Sequence, residues 1–146
     1  MNYLTCPLLC DEEIKILKDN LSSIDNDWED GKKTAGSLAS KVKNNLQLNR
    51  NSNSSKKNAE FIVKKLLTNT LIKSFALPRK IHGIMFTKSS VGMKYGRHID
   101  NAYMSSGRAD LSFSIFLNKK NSYEGGDLVI ENINTENKFK LNQGEI

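Results

Sequence analysis

The sequence predicts an α+β or jelly-roll fold in which helices support one face of a β-sheet. Apolar residues recur at helical spacing near the N-terminus and again across residues 58–75. Beyond Pro78 the pattern changes to short extended runs separated by turn residues. A group of helices followed by a group of strands favours this arrangement over an alternating α/β fold.

Two helices are predicted in the first half of the chain. The first begins at Asp11-Glu12-Glu13, whose acidic side chains favour a helix N-terminus, and continues through Ile14, Leu17 and Leu21. Turn-forming residues in 28–48 and the Asn/Ser-rich stretch 49–58 predict irregular backbone. The second helix follows, with Phe61, Ile62, Leu66, Ile72 and Phe75 on one face and Lys64, Lys65 and Lys73 on the other. Leu77-Pro78 should end it, because a residue that precedes proline is disfavoured in the α region.

The second half of the chain predicts strands. Extended runs cover residues 81–87, 94–100, 110–118, 126–131 and 138–141. Asp110, Ser112, Ser114 and Phe116 should share one strand face, because side chains alternate along a strand. Gly125-Gly126 should allow positive φ angles in a turn that joins the strands on either side of Tyr123–Asp127 into a hairpin.

Length and composition favour one soluble domain. The 146 residues suffice for one core, which makes 1–146 a single domain with a helical part, 1–78, and a strand part, 79–146. No run of about eighteen apolar residues and no secretory signal pattern occurs, so we expect a cytoplasmic protein with no membrane partner. Cys6 and Cys10 are the only cysteines, too few for a zinc site, and we expect both to be reduced thiols.

The net charge of +6 is concentrated in the middle of the chain. Residues 31–97 carry 15 basic and 1 acidic side chains. Such a segment can attract an anionic partner. Lysine dominates it and few aromatic residues are interleaved for base stacking, so nucleic-acid binding is disfavoured and a solvated lysine-rich face is the simpler interpretation.

His98-Ile99-Asp100 is the candidate metal motif. The two side chains lie two residues apart, so on a strand they project from the same face. An imidazole and a carboxylate are two of the three ligands in the facial triad of non-haem Fe(II) oxygenases. The only other histidine, His82, lies upstream, and we interpret it as a core or surface histidine.

A wider set of residues resembles the PKHD-type hydroxylases, a bacterial and phage group of Fe(II)/2-oxoglutarate dioxygenases related to prolyl and lysyl hydroxylases. The resemblance extends over nearly the whole chain. The shared pattern comprises, in order, Trp28-Glu29-Asp30-Gly31, Thr34-Ala35-Gly36, Val42-Lys43-Asn44-Asn45 with Gln47, Leu77-Pro78-Arg79, Tyr95-Gly96 with His98-Ile99-Asp100, Arg108 with Asp110-Leu111-Ser112, Phe116-Leu117, and Tyr123-Glu124-Gly125-Gly126-Asp127-Leu128.

The resemblance implies helices packed on a double-stranded β-helix (jelly-roll) core, of which residues 79–146 are the first part. It makes His98 and Asp100 iron ligands and catalytic residues, with 2-oxoglutarate and O₂ as co-substrates and L-ascorbate as a reductant. It also implies that the second histidine ligand and the arginine that binds 2-oxoglutarate lie beyond residue 146. We therefore expect this chain to be truncated at its C-terminus and impaired in turnover.

Five further residues are candidates for the site. Ser89 occupies the position where related prolyl hydroxylases have a tyrosine that contacts the co-substrate, and Tyr95 is the alternative candidate for that contact or a packed barrel tyrosine. Asn44 and Asn45 are substrate-binding candidates in an irregular loop, or else cap local backbone. Arg108 lies near the site opening, or else forms a structural ion pair with Asp110.

The function implied is hydroxylation of a C–H bond in a protein side chain, a peptide-like compound or a small molecule. The alternative from a different class is a non-catalytic binding module that keeps the scaffold and holds an acidic partner on its basic middle segment. Retention of both His98 and Asp100 favours the enzyme, because a scaffold without iron does not need the pair.

Overall fold

The computed structural model describes residues 3–23, 27–104 and 107–146, which form three α-helices and a set of short strands. The helices are α1 (Asp11–Ser22), α2 (Asn53–Thr68) and α3 (Thr70–Ala76). The strands are β1 (Trp28–Asp30), β2 (Lys43–Asn44), β3 (Leu46–Leu48), β4 (Thr87–Lys88), β5 (Lys94–Tyr95), β6 (Tyr103–Met104), β7 (Gly107–Arg108), β8 (Leu128–Glu131) and β9 (Glu136–Phe139). Short 3₁₀ turns lie at Gly31–Thr34, Ala39–Val42 and Lys120–Ser122.

The first helix begins where the sequence predicts it to begin. The backbone N–H of Cys10 donates to the Glu13 carboxylate at 3.1 Å, which completes a capping box at the start of α1. Ile14, Leu17 and Leu21 are buried. The helix therefore places its apolar face on the core, as its spacing predicts.

The second predicted helix differs from the structure at its start and is interrupted. Ser52 accepts a hydrogen bond from the Ser55 N–H at 3.1 Å, so α2 begins within the Asn/Ser-rich stretch that was predicted to be irregular. Asn69 has extended backbone and its side chain accepts from the Ile72 N–H at 3.0 Å. A cap of this kind starts a new helix, which divides the predicted helix into α2 and α3. The predicted end at Leu77 is confirmed, with left-handed backbone there (φ 42°).

The strands form small antiparallel sheets. One sheet has the order β1-β3-β4, and the other pairs are β2-β5, β6-β7 and β8-β9. In the β2-β5 pair, Lys43 is opposite Tyr95 and Asn44 is opposite Lys94. Within the described ranges the sheets do not close into a barrel, and the jelly-roll core stays a prediction.

The hairpin predicted around Tyr123–Asp127 is wrong in its pairing. Gly125 and Gly126 have the expected positive φ angles, 65° and 70°. The strand that follows them, however, pairs forward with β9 through a turn at Asn132–Thr135. The Asn132 side chain accepts hydrogen bonds from the N–H groups of Asn134 and Thr135. This local bonding makes 132–135 the hairpin turn. Residues 110–118, all of which the structure describes, do not form a strand.

The core lies among α1, α2 and β3, and residues 144–146 contact it. Leu17 and Ile62 are each 1% exposed. The Cys6 N–H donates to the Ile146 carbonyl at 3.1 Å, and the Gly144 N–H donates to the Phe116 carbonyl at 2.7 Å. Gly144 has φ 82° and packs on the Leu9 carbonyl, where a side chain would collide. Among the described helices, none has the length and apolar character needed to cross a membrane.

Candidate metal site

His98 lies just after β5, and the backbone of Gly96 connects its ring to the strand pair. The Gly96 N–H donates to the Val42 carbonyl at 2.8 Å, which extends the β2-β5 pairing to the edge of the motif. The imidazole Nδ1 lies 2.8 Å from the Gly96 carbonyl oxygen. Because a carbonyl can only accept, Nδ1 carries the proton in the neutral ring and Nε2 keeps its lone pair. Metal-binding histidines are commonly oriented in this way.

Asp100 places its carboxylate next to that free nitrogen. Its Oδ1 is 3.3 Å from His98 Nε2, and its Oδ2 accepts a hydrogen bond from Ser112 Oγ at 2.6 Å. Two ligands in neighbouring positions of an octahedral metal would be about 3.0 Å apart, given bonds of about 2.1 Å. The spacing of Nε2 and Oδ1 therefore fits two adjacent ligands of one ion. The carboxylate side chain is 63% exposed, so solvent reaches the pair.

Tyr95 and Lys43 lie against the pair. The Tyr95 ring stacks on the His98 ring with centroids 3.7 Å apart and planes 10° apart. The Lys43 ammonium is 4.8 Å from the centroid of the Tyr95 ring and donates to Thr34 Oγ1 at 3.3 Å. Burial, assisted by the positive charge of Arg50, lowers the pKa of Lys43, while Asp30 opposes that shift. Burial and then the charge of Asp100 raise the pKa of the Tyr95 phenol.

Among the residues that the structure describes, no third side chain joins His98 and Asp100 as a metal ligand. Within those residues, no group of three histidine, cysteine, aspartate or glutamate side chains is placed to hold a metal. His82 instead lines an apolar groove on α2, and its ring approaches Gly107. The site formed here thus offers two donors, one nitrogen and one oxygen, a combination that suits Fe(II) and related first-row metals.

The other predicted site residues lie in several separate places. Asn44 is exposed in β2, and Asn45 is buried against Gly31 with its Oδ1 lacking a hydrogen-bond partner. Ser89 is exposed just after β4. Arg108 in β7 forms an exposed ion pair with Asp110 at 2.6 Å, in agreement with the structural interpretation of that pair.

The sequence alone did not single out Ser112, the Gly96 carbonyl or Lys43 as supports of the site. Ser112 had one signal, because alternation predicts that it shares a face with Asp110, but its contact with Asp100 depends on how two distant segments meet. For Lys43, the only indication in the sequence is its position next to the candidate residue Asn44. Its burial, at 3% exposure, follows from the β2-β5 register, which a single sequence does not reveal.

Comparison with known proteins identifies the family. No family model matches the chain. The chain is 68% identical over 146 residues to a PKHD-type hydroxylase of Prochlorococcus marinus strain AS9601, and 66% identical over 146 residues to one of strain MIT 9215. A PKHD-type hydroxylase of strain MIT 9313 is 51% identical over 146 residues. Each alignment covers 100% of this chain and 66% of the relative, so the chain spans a little under two thirds of their length. The chain thus belongs to the PKHD-type hydroxylase family.

Proposed function

We propose that this chain carries the metal-binding pair of an Fe(II)- and 2-oxoglutarate-dependent hydroxylase that acts on a C–H bond of a protein side chain or peptide-like substrate. The observation that carries the proposal is the 3.3 Å separation of His98 Nε2 and Asp100 Oδ1, with each side chain held by a further hydrogen bond. Relatives that bear the name PKHD-type hydroxylase support the reaction class.

The residues of this chain would orient the metal and balance its charge. When bound, Fe(II) would supply activation of O₂, with 2-oxoglutarate as the electron source, so that one oxygen atom enters the C–H bond and the other enters succinate as CO₂ is lost. His98 would donate its Nε2 lone pair, because the Gly96 carbonyl holds the proton on Nδ1. Asp100 would supply an anionic oxygen through Oδ1, because Ser112 engages Oδ2.

The family resemblance implies two more functional residues, a second histidine ligand and an arginine that binds 2-oxoglutarate. We expect the second histidine and the arginine for 2-oxoglutarate in the third of the relatives' length that this chain does not span. Two protein ligands should hold Fe(II) weakly, and bound 2-oxoglutarate would add two more donors. We therefore expect binding that depends on both Fe(II) and 2-oxoglutarate, with little or no turnover by this chain.

An anaerobic titration with Fe(II) in saturating 2-oxoglutarate tests the proposal, followed by the visible charge-transfer absorption of the chelate. We expect the band in the parent protein and its loss in His98→Gln and Asp100→Asn. His82→Gln and Asp110→Asn are matched controls, because they make the same chemical changes outside the pair and should keep the band. A band that survives in both pair variants, or that is absent in the parent, would contradict the proposal and favour the non-catalytic binding module.

A further inference from the structure

We propose that Lys43 is a positioning residue for His98 and acts through the ring of Tyr95. This inference rests on the proposed function, because the orientation of His98 matters for chemistry only if its imidazole binds metal. The orientation of the His98 ring by Lys43 and Tyr95 can be tested in the metal-free protein. The observations that carry it are a strand register, two ring contacts and the burial of one ammonium group.

The register of two short strands places the three side chains in one stack. Lys43 in β2 is the antiparallel partner of Tyr95 in β5, so their side chains project from the same face of the pair. The Lys43 ammonium lies 4.8 Å from the centroid of the Tyr95 ring. The same ring lies 3.7 Å from the His98 ring and nearly parallel to it, at 10°. Tyr95 therefore contacts the cation and the imidazole at once.

Lys43 is unusual among the lysines of this chain because it is buried. The residue is 3% exposed, and no carboxylate lies within 4 Å of its ammonium in the part of the chain that the structure describes. Its polar contacts are Thr34 Oγ1 and the face of Tyr95. A buried cation with no carboxylate in direct contact is unfavourable unless other groups stabilise it, and an aromatic face is such a group.

The attraction between ammonium and ring restricts the ring itself. Tyr95 is 39% exposed, so packing alone does not hold it firmly. The cation fixes the plane of the Tyr95 ring, and the stacked His98 ring lies nearly parallel to it. The Gly96 carbonyl at Nδ1 then sets the rotation within that plane. Together these contacts aim Nε2 at Asp100 before any ligand is present.

The test compares Lys43→Met with Lys43→Arg, which keeps the cation, and with Tyr95→Leu, which removes the ring. Lys88→Met is the matched control, because Lys88 also lies over an aromatic ring, that of Trp28 at 5.8 Å, but away from the pair. The first readout is NMR of the metal-free protein. The stacked Tyr95 ring should shift the His98 imidazole proton signals upfield. The second readout is the dissociation constant for Fe(II) in saturating 2-oxoglutarate.

We expect Lys43→Met to reduce the upfield shift of His98, Tyr95→Leu to abolish it, and Lys43→Arg and Lys88→Met to retain most of it. Fe(II) affinity should fall about tenfold in Lys43→Met, the lower end of effects seen for groups that orient ligands. Unchanged His98 signals in Lys43→Met would overturn the inference, as would equal changes at His82, which would indicate general loss of structure. If the His98 signals respond but the parent binds no Fe(II), the positioning role stands and the proposed function fails.

Discussion

At the scale of single residues, the candidate site consists of two ligands that neutral groups hold in place. The Gly96 carbonyl engages one nitrogen of His98, and the Ser112 hydroxyl engages one oxygen of Asp100. These contacts leave His98 Nε2 and Asp100 Oδ1 facing each other, 3.3 Å apart. The pair is therefore preorganised, which lowers the conformational entropy lost when a metal binds.

Removal of the Ser112 hydroxyl tests this preorganisation. We expect Ser112→Ala to weaken Fe(II) binding about tenfold, because Oδ2 of Asp100 loses its donor and the carboxylate can rotate. The free energy of unfolding should change by less than about 0.5 kcal/mol, since both residues are exposed at the surface. Ser114→Ala is the control, two residues further along the same segment. Equal Fe(II) affinity in the parent and in Ser112→Ala would contradict the role given to the hydroxyl.

The sequence predicts the His98–Asp100 pair but not the residues that hold it in place. His98 and Asp100 are found because their spacing and chemistry are local properties of the chain. The contact between Ser112 and Asp100 joins residues twelve positions apart. The burial of Lys43 depends on pairing with the strand of Tyr95, which lies 52 residues further along the chain. Such contacts follow from tertiary structure, which local periodicity does not encode.

At the scale of elements, helices are predicted well where an apolar face is continuous and less well where side chains cap the backbone. Ile14, Leu17 and Leu21 locate α1 by spacing. The interruption at Asn69 depends on one side chain that accepts from the Ile72 N–H, and the same asparagine could have faced solvent within a helix. The strands are shorter than predicted, because extended runs gain ladder bonds only where a partner segment lies alongside.

Glu13 joins two of these elements and gives a pH-dependent prediction. Its carboxylate caps α1 at Cys10 and pairs with Lys65 of α2, and the contact with Lys65, more than that with Cys10, lowers the pKa of Glu13. A carboxyl with a lowered folded-state pKa stabilises the protein above its ordinary pKa, and this stabilisation is lost as pH falls through the folded value. Glu13→Gln should therefore lower the free energy of unfolding by about 0.5–1 kcal/mol at neutral pH.

The measurement is urea denaturation at neutral pH and at a lower pH at which the parent carboxyl has become protonated, where the difference should nearly vanish. Glu12→Gln is the control, an exposed residue of the same helical turn with the same change of charge. A destabilisation by Glu13→Gln of the same size at both pH values would show that its charge does not matter.

At the scale of the whole molecule, the buried core and the candidate metal site lie in different parts of the fold. The most buried apolar residues belong to α1, α2 and β3. In the region after residue 90, by contrast, Val91, Ile99 and Ile133 are 94–105% exposed. The double-stranded β-helix that the family resemblance implies stays a prediction, since the described strands form separate small sheets.

The location of the core predicts where stability is concentrated. Ile62→Ala should lower the free energy of unfolding by about 2–4 kcal/mol, because the side chain is 1% exposed and its loss leaves a cavity between α1 and α2. Ile133→Ala, at 101% exposure, makes the same chemical change and should alter stability by less than about 0.5 kcal/mol. Comparable losses at the two positions in urea denaturation would contradict this assignment of the core.

The central claim is that His98 and Asp100 bind one metal ion, and the most direct measurement is an anaerobic Fe(II) titration observed through the imidazole NMR signals. The chain has two histidines, so each reports on its own surroundings. In the presence of 2-oxoglutarate, we expect paramagnetic Fe(II) to broaden the His98 signals first and to leave those of His82 sharp, and Asp100→Asn should abolish the effect. Broadening of both histidines together, or of His82 alone, would contradict the account.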